Sequence, residues 1–265
     1  MSNRGLTWLH ALSANGTAAE GFIPSVKVVD SAIGEQKTRY IAVVTDENNA
    51  FSRARNGEVG LLEGWNVAKA ISEVVAQDKA CDAKTAIVAV IDVPSQAYGR
   101  REEAYGIHQA LAGAANAYAT ARMAGHPVIG LIVGKAMSGG FLAHGYQANR
   151  LIALDDEGCM VHAMGKASAA RITLRSVEEL EKLAATIPPM AYDIQNYSTL
   201  GLLWKKVSVH NAVSPTHDDI AAINQILADA LIDIAQDDAR DLSGRLHSEM
   251  RKASLQVRQQ MAKAW

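Results

Sequence analysis

Residues 127–145, with the sequence PVIGLIVGKAMSGGFLAHG, decide the fold of this 265-residue chain. The first eight are largely apolar and rich in β-branched residues, which predicts a buried strand at 127–134. The next residues have the pattern of a sharp turn that opens a short helix, with Gly134, Gly139 and Gly140 at the turn. Glycines at such a turn let a ligand approach backbone N–H groups closely.

Similar apolar runs on both sides of this stretch predict further strands, with helical spacing between them. The predicted strands are 39–46, 86–94, 150–156 and 159–164, and the predicted helices are 58–77, a long helix that ends near Gly125, one opened by a capping box at Ser176, and 216–236. Strands joined by helical crossovers pair in parallel, and continuous apolar strands indicate sheets covered on both faces. We therefore predict an α/β fold with parallel β-sheets.

The C-terminal part, residues 216–265, is predicted to be a helical arm of a single domain that spans residues 1–265. The tail from Arg245 onward carries five Lys or Arg residues and one acidic residue. A basic helix of this kind is typical of a solvated surface, although it also suits an acidic partner or a phosphate-bearing cofactor.

The composition excludes several classes of protein. With 26 Lys+Arg against 28 Asp+Glu and 49% hydrophobic residues, the chain resembles neither a disordered segment nor a nucleic-acid-binding protein. No apolar run approaches the roughly 20 residues of a membrane span, and no secretory signal is visible, so we expect a cytoplasmic protein. Cys81 and Cys159 form no disulfide or zinc pattern, and we expect two buried, reduced thiols. The histidine spacing predicts no metal site, and a nucleotide-binding fingerprint is lacking.

The glycine-rich turn is a candidate oxyanion site. Preorganised N–H groups at the start of a helix stabilise an enolate or a tetrahedral oxyanion, although glycines after a strand are also typical of a structural turn. A second loop, PSQAYGRREE (94–103), follows the preceding strand. The carboxyl ends of parallel strands line one crevice, so both loops are expected to border the same site. Arg100 and Arg101 in this loop suit a carboxylate or a phosphate.

Two segments carry a resemblance to a known family. IDVPSQAYGRREEAYGIHQAL (91–111) and HPVIGLIVGKAMSGGFLAHGYQANRLIALDDEGCMVHAM (126–164) resemble the carboxyltransferase branch of the crotonase superfamily. LGLLWKKVSV (200–209) is similar to the strand that ends many crotonase domains. The chain also resembles, in length and Ala-rich composition, the gamma subunits of biotin-independent malonate decarboxylases. The resemblance implies a crotonase-like (ClpP/crotonase) fold. One departure is Pro94-Ser95, where carboxylase subunits have Pro-Gly.

The resemblance also implies a reaction. In this family a beta-type and a gamma-type subunit, both of crotonase fold, decarboxylate malonyl-S-acyl carrier protein to acetyl-S-acyl carrier protein and CO2. The carrier's arm is a CoA-derived prosthetic group, no biotin takes part, and no cofactor is expected on this chain itself. The expected catalytic residues are Ser138, Gly139, Gly140 and His144, and the expected substrate-binding residues are Ser95, Gly99, Arg100 and Gly134. His144 is a candidate proton donor to the carbanion, although a packing role is also typical of its position.

Two other interpretations stay open. Ala-Met-Ser138-Gly-Gly is similar to a nucleophile elbow, and Ser138 with His162 resembles the pair of Clp-type serine proteases, which share the crotonase-like core. Against this, no acidic residue can be assigned as the third member, and His162 also suits a core histidine bonded to a backbone carbonyl. The second interpretation is a non-catalytic subunit that completes its partner's cleft.

Overall fold

The computed structural model describes residues 3–246 and 248–265 of the chain. In these residues eight strands form one sheet, in the order β1-β2-β3-β4-β5-β6-β8, with β7 paired to β5 outside this path. The strands are β1 (Thr17–Ala18), β2 (Val26–Ile33), β3 (Gln36–Val43), β4 (Ala86–Val93), β5 (Val128–Met137), β6 (Arg150–Leu154), β7 (Met160–His162) and β8 (Lys205–Val207).

Helices lie before, between and after the strands of the sheet. They are α1 (Arg4–Leu12), α2 (Leu61–Gln77), α3 (Arg100–Ala104), α4 (Ile107–Met123), α5 (Ser138–Ala143), α6 (Lys166–Ile172), α7 (Val177–Ala184), α8 (Ile194–Thr199), α9 (His217–Gln236) and α10 (Lys252–Ala264). Helix α2 crosses from β3 to β4, and α3 with α4 crosses from β4 to β5. The predicted capping box is confirmed, since the Glu179 N–H donates to Ser176 Oγ and the Ser176 N–H donates to Glu179 Oε2.

The predicted parallel pairing is confirmed for the centre of the sheet. Strands β3, β4, β5, β6 and β8 are parallel neighbours. All eight residues of β4 are buried. Because successive side chains of a strand point to opposite faces, both faces of the sheet are covered at β4.

The N-terminal edge differs from the prediction of an all-parallel sheet. Strand β2 pairs antiparallel with β3, from Val26 opposite Val43 to Ile33 opposite Gln36. The two strands form a hairpin, and Gly34 in its two-residue turn has a φ of +58°. A tight hairpin turn needs a residue that tolerates positive φ, which glycine does. The strand predicted at 39–46 therefore starts earlier, at Gln36.

Helix α1 was also absent from the prediction. Its Trp8 is fully buried, and the indole Nε1–H donates to the carbonyl of Ala212 at 2.8 Å. The alternation of polar and apolar residues in this short segment is too brief to define a helix period. The helix is held by contacts with residues distant in the chain rather than by its own sequence pattern.

The segment predicted as a helical arm, 216–265, contains the two helices α9 and α10. Helix α9 contributes Ile223, Leu227, Ala230 and Ile234 to the main hydrophobic core. Helix α10 has no buried residue among those that the structure describes. Arg245, predicted to lie on the basic surface, is buried and donates to the carbonyls of Tyr146 and Ala148.

The two cysteine thiols differ in their exposure to solvent. Cys159 is buried as expected, and burial raises the pKa of its thiol to about 12. Cys81 is exposed, which corrects the expectation of two buried thiols. It follows helix α2 in the connection to β4, where the chain passes over the surface. Among the residues that the structure describes, no helix is long and apolar enough to cross a membrane.

A buried carboxylate fixes the start of α9. Asp219 is 2% exposed, and its carboxylate accepts hydrogen bonds from the N–H groups of His210 at 2.6 Å, Thr216 at 2.9 Å and Asn211 at 3.2 Å. Burial alone would raise the pKa of Asp219, but the hydrogen bonds, chiefly from the N–H groups of Thr216 and His210, hold it well below its usual value. The charged form of Asp219 therefore stabilises the folded chain.

Replacing Asp219 by Asn should lower the free energy of unfolding by about 2 kcal/mol at pH 7, because charge-assisted hydrogen bonds are lost. The matched control is Asp218→Asn, since the Asp218 side chain is 87% exposed on the same helical turn. Denaturant unfolding of both variants measures the difference. Because the folded-state pKa is lowered, the contribution is complete above about pH 4 and decreases below it. Equal effects of the two substitutions would contradict this role.

Candidate active site

The loops after β4 and β5 lie against each other, as predicted. The two strands are parallel neighbours, and Val93 near the end of β4 pairs with Ala136 near the end of β5. The loop after β4 is held by backbone hydrogen bonds to Val59: the Val59 N–H donates to the Ser95 carbonyl at 3.1 Å, and the Ala97 N–H donates to the Val59 carbonyl at 2.8 Å. The backbone beside the predicted turn is therefore fixed.

Two glycines of the turn contact this loop directly. The Gly139 N–H donates to Gln96 Oε1 at 2.7 Å. A Cβ atom on Gly140 would lie 2.5 Å from the Ser95 carbonyl oxygen and 2.6 Å from Val93 Cγ1, so no larger residue fits there. The structure thus brings Ser95, Gly139 and Gly140 together. It adds Gln96, whose contribution the sequence analysis missed because its partner lies 43 residues away.

Ser138 begins α5 in an unusual backbone conformation. Its φ is +58°, in the left-handed region, which costs energy for a residue other than glycine. The preceding Met137 provides no side-chain cap for the helix. The first N–H groups of a helix have no partner within it, and here the side chain of Gln96 supplies one from another loop.

A cavity of about 320 Å³ lies beside the turn. Ser138 and Gly139 border it, together with side chains from β7 and the segment around α8. Its wall is mostly apolar and is formed by Phe141, Leu142, Val161, Ala163, Pro189, Ala191, Leu200 and Leu202. The residues with polar side-chain atoms at its border are Ser138, Tyr146, His162 and Tyr197. Tyr197 is only 7% exposed, and its hydroxyl has no hydrogen-bond partner among the described residues.

Ser138 and His162 share this cavity without forming a catalytic pair. His162 Nδ1 lies 3.0 Å from the Met164 carbonyl and accepts from the Met164 N–H at 3.3 Å. Its ring stacks on Tyr192 with centroids 3.9 Å apart. Burial lowers the pKa of His162. No hydrogen bond joins it to Ser138 or to a carboxylate within the described residues, so the Ser-His-acid triad of a serine hydrolase is not assembled.

His144 does not face the cavity, which corrects its assignment as a proton donor. It is fully buried, with Nδ1 3.0 Å from the Tyr118 hydroxyl and Nε2 3.2 Å from the Val90 carbonyl. Burial lowers its pKa to about 4. Both ring nitrogens are thus occupied inside the core, and the packing interpretation is the one that the contacts favour.

Gly134 lies inside β5 rather than at the turn, because the strand continues to Met137. A Cβ atom on Gly134 would overlap the carboxylate of Asp92. Asp92 is buried and accepts hydrogen bonds from the N–H groups of Gly5 at 3.3 Å and Lys135 at 3.0 Å. Asp92 interrupts an apolar strand, a signal that the sequence analysis did not use. Gly134 therefore makes room for this carboxylate.

Gly99 and Arg100 lie at the start of α3. Gly99 precedes the helix, and a Cβ atom there would overlap the carboxylate of Glu102, which is buried. Arg100 is exposed. The contacts of the described residues do not join either one to the turn at Ser138. In the same residues, no group of three His, Cys, Asp or Glu side chains is arranged to hold a metal ion.

Comparison with solved structures identifies the class of fold. The chain superposes on transcarboxylase 12S with a TM-score of 0.63 and 18% identity, over 87% of this chain and 40% of that one. At this identity the match concerns the fold alone. It identifies a crotonase-like carboxyltransferase fold, as the resemblance implied.

The comparisons also identify the family. The family model described as malonate decarboxylase gamma subunit matches residues 54–265. The chain belongs to this family. It is 57% identical to a chain of a Pseudomonas malonate decarboxylase hetero-tetramer solved in complex with coenzyme A, with a TM-score of 0.95 and 99% coverage of both chains. It is 34% identical over 182 residues to the Malonomonas rubra malonyl-S-ACP:biotin-protein carboxyltransferase MADD. The matched region covers 67% of this chain but only 62% of that protein.

The buried His144 should make folding sensitive to mild acid. Its folded-state pKa is lowered, so the neutral form stabilises the chain fully above the ordinary histidine pKa of about 6.5 and progressively less below it. Wild-type protein should lose about 2 kcal/mol of unfolding free energy between pH 7 and pH 5 through this one residue. In His144→Gln that loss should disappear, because glutamine does not titrate.

Denaturant unfolding at both pH values measures this effect. His108→Gln is the control for a histidine-to-glutamine substitution outside the core, because His108 is exposed on α4. Parallel pH profiles for wild type and His144→Gln would show that His144 does not carry the sensitivity.

Proposed function

We propose that this chain is the gamma-type subunit of a heteromeric malonate decarboxylase that acts on malonyl-S-acyl carrier protein. With a beta-type subunit of crotonase fold, it releases CO2 and leaves acetyl-S-acyl carrier protein. The observation that carries the proposal is the Gly139 N–H, which lies where the loops of two parallel strands meet and donates to the side-chain oxygen Gln96 Oε1 at 2.7 Å. Membership of the malonate decarboxylase gamma subunit family supports the choice of reaction.

The proposed decarboxylation needs a hydrogen-bond donor at the thioester oxygen. Breaking the bond between the carboxylate carbon and the methylene carbon releases CO2 and leaves the electron pair on the remaining fragment. That pair delocalises into the thioester as an enolate, whose charge lies mainly on the thioester oxygen. A preorganised N–H group aimed at this oxygen stabilises the charge as it develops. Protonation of the methylene carbon then gives the acetyl thioester.

The carrier and the partner subunit complete the proposed site. The carrier's arm is a CoA-derived prosthetic group, and a related Pseudomonas hetero-tetramer has been solved with coenzyme A. The largely apolar cavity beside Gly139 suits the uncharged end of this arm, which carries the thioester. In this proposal the chain contributes one wall of the site and the partner contributes the other. No biotin takes part.

Replacing Gly139 by Ala should reduce turnover of the assembled complex, by up to about 10²–10³, the usual cost of losing one oxyanion donor. The N–H group remains, but the added Cβ would lie 3.2 Å from the position now held by Gln96 Oε1, so an oxygen bound there must shift by a few tenths of an ångström away from its best geometry. The measurement is CO2 release from malonyl-S-acyl carrier protein, together with the thermal midpoint of the complex.

The matched control is Gly165→Ala, because a Cβ atom there meets no atom within 4 Å and the residue lies at the start of another short helix. This variant should retain wild-type turnover. If Gly139→Ala assembles normally and also retains full turnover, the donor belongs to the partner, and this chain only completes the cleft.

Replacing Ser138 by Gly separates decarboxylation from the serine-hydrolase alternative. Glycine removes the hydroxyl and relieves the positive φ of +58°, so folding should not suffer. If the backbone does the chemistry, turnover should fall by less than about tenfold. A nucleophilic serine would instead be indispensable, with a loss of about 10⁶. Stoichiometric labelling of Ser138 by a fluorophosphonate would likewise support the hydrolase and contradict our proposal.

A further inference from the structure

The N–H group assigned to oxyanion binding is occupied by the protein itself. Gln96 Oε1 accepts the hydrogen bond from Gly139 at 2.7 Å. Because an N–H group can only donate, the amide of Gln96 must present its oxygen rather than its nitrogen. A carbonyl oxygen thus already lies at the distance and position where a substrate oxygen would accept the same bond.

The geometry of the loop allows the side chain of Gln96 to leave without moving the backbone. Both residues that flank Gln96 are bound to Val59, Ser95 through its carbonyl and Ala97 through its N–H. The side chain itself is half-buried. Among the described residues, its hydrogen-bond partner is the Gly139 N–H. Rotation about side-chain bonds occurs in picoseconds to nanoseconds, far faster than turnover.

The space beside this donor is large enough for a ligand. Gly139 borders the cavity of about 320 Å³, whose wall is largely apolar. A pocket of this kind suits the acyl end of a thioester, and the donor held by Gln96 lies at its border.

We infer that Gln96 is a positioning residue whose amide oxygen occupies the Gly139 N–H in the free protein and is displaced by the thioester oxygen of the substrate. This inference rests on the proposed function of Gly139. The amide oxygen satisfies a half-buried donor while no substrate is present. Because both acceptors in the ground state are neutral, exchange of one for the other is nearly balanced.

The exchange becomes favourable as the enolate forms. A hydrogen bond to an anionic oxygen is roughly twice as strong as one to a neutral oxygen. Gln96 therefore weakens the binding of the uncharged thioester more than it opposes the reaction of the bound complex. Its removal should lower KM and leave kcat unchanged, because the cost of displacement falls entirely on the binding step.

The test uses the complex of this chain with its partner subunit and two probes, acetyl-CoA and CoA. Only acetyl-CoA carries a thioester carbonyl. In Gln96→Ala, the Kd of acetyl-CoA should fall about fivefold, the equivalent of one neutral hydrogen bond, and the Kd of CoA should not change. Gln77→Ala is the control, since Gln77 is exposed at the end of α2, which leads to the start of β4 rather than to its carboxyl end. It should change neither Kd.

A second variant tests the same exchange in the other direction. In Gln96→Glu, a carboxylate holds the Gly139 N–H by a charge-assisted bond, so the Kd of acetyl-CoA should rise at least tenfold. The Kd of CoA should again stay within twofold. Kinetics with malonyl-S-acyl carrier protein should show a lower KM and an unchanged kcat for Gln96→Ala.

Other outcomes overturn the inference. If Gln96→Ala weakens the binding of both acetyl-CoA and CoA, or lowers the thermal midpoint together with kcat, Gln96 only holds the start of α5 in place. If neither Kd changes, the amide is not displaced. These results leave the proposed function intact so long as Gly139→Ala loses turnover. Full turnover of Gly139→Ala would instead contradict the proposed function itself, whatever Gln96→Ala shows.

Discussion

The missing side chain of Gly140 allows the start of α5 to lie directly against the carbonyl of Ser95. A Cβ atom at this position would approach that oxygen to 2.5 Å, closer than non-bonded atoms tolerate. Because Ser95 is bound to Val59, the contact fixes α5 relative to the ends of two strands. The direction of the Gly139 N–H, the position of Ser138 and one border of the apolar cavity all follow from this close approach.

Most of the central sheet could be predicted from sequence, because its strands are nearly continuous apolar runs separated by amphipathic helices. The hairpin of β2 and β3 was missed for a physical reason. Five of the eight β2 residues are not buried, so its hydrophobic signal is diluted by polar residues on the second face. Helix α1 and the placement of α9 depend on contacts between distant parts of the chain, which a local pattern does not contain.

The backbone turn of the candidate site could be predicted from the sequence, but the directions of the side chains around it could not. Two glycines at the end of an apolar strand indicated a turn, and Gly139 and Gly140 do lie at one. His144 had the same local context, but its side chain points into the core, towards Tyr118 and Val90. Nothing near Gln96 in the sequence reveals that its amide reaches Gly139. Side-chain direction is set by the packed structure, and spacing along the chain does not specify it.

The hydrogen bond from Trp8 to Ala212 has a consequence for synthesis of the chain. The two residues are separated by 204 positions, so the indole lacks this acceptor until that stretch of chain has been made. Helix α1 also contacts β3, β4 and β5, which are made earlier, so it can dock on the sheet before its indole is paired. The side of Trp8 that faces Ala212 then has no final partner. The hydrogen bond of the Trp8 indole thus forms only once the segment that precedes α9 has been made.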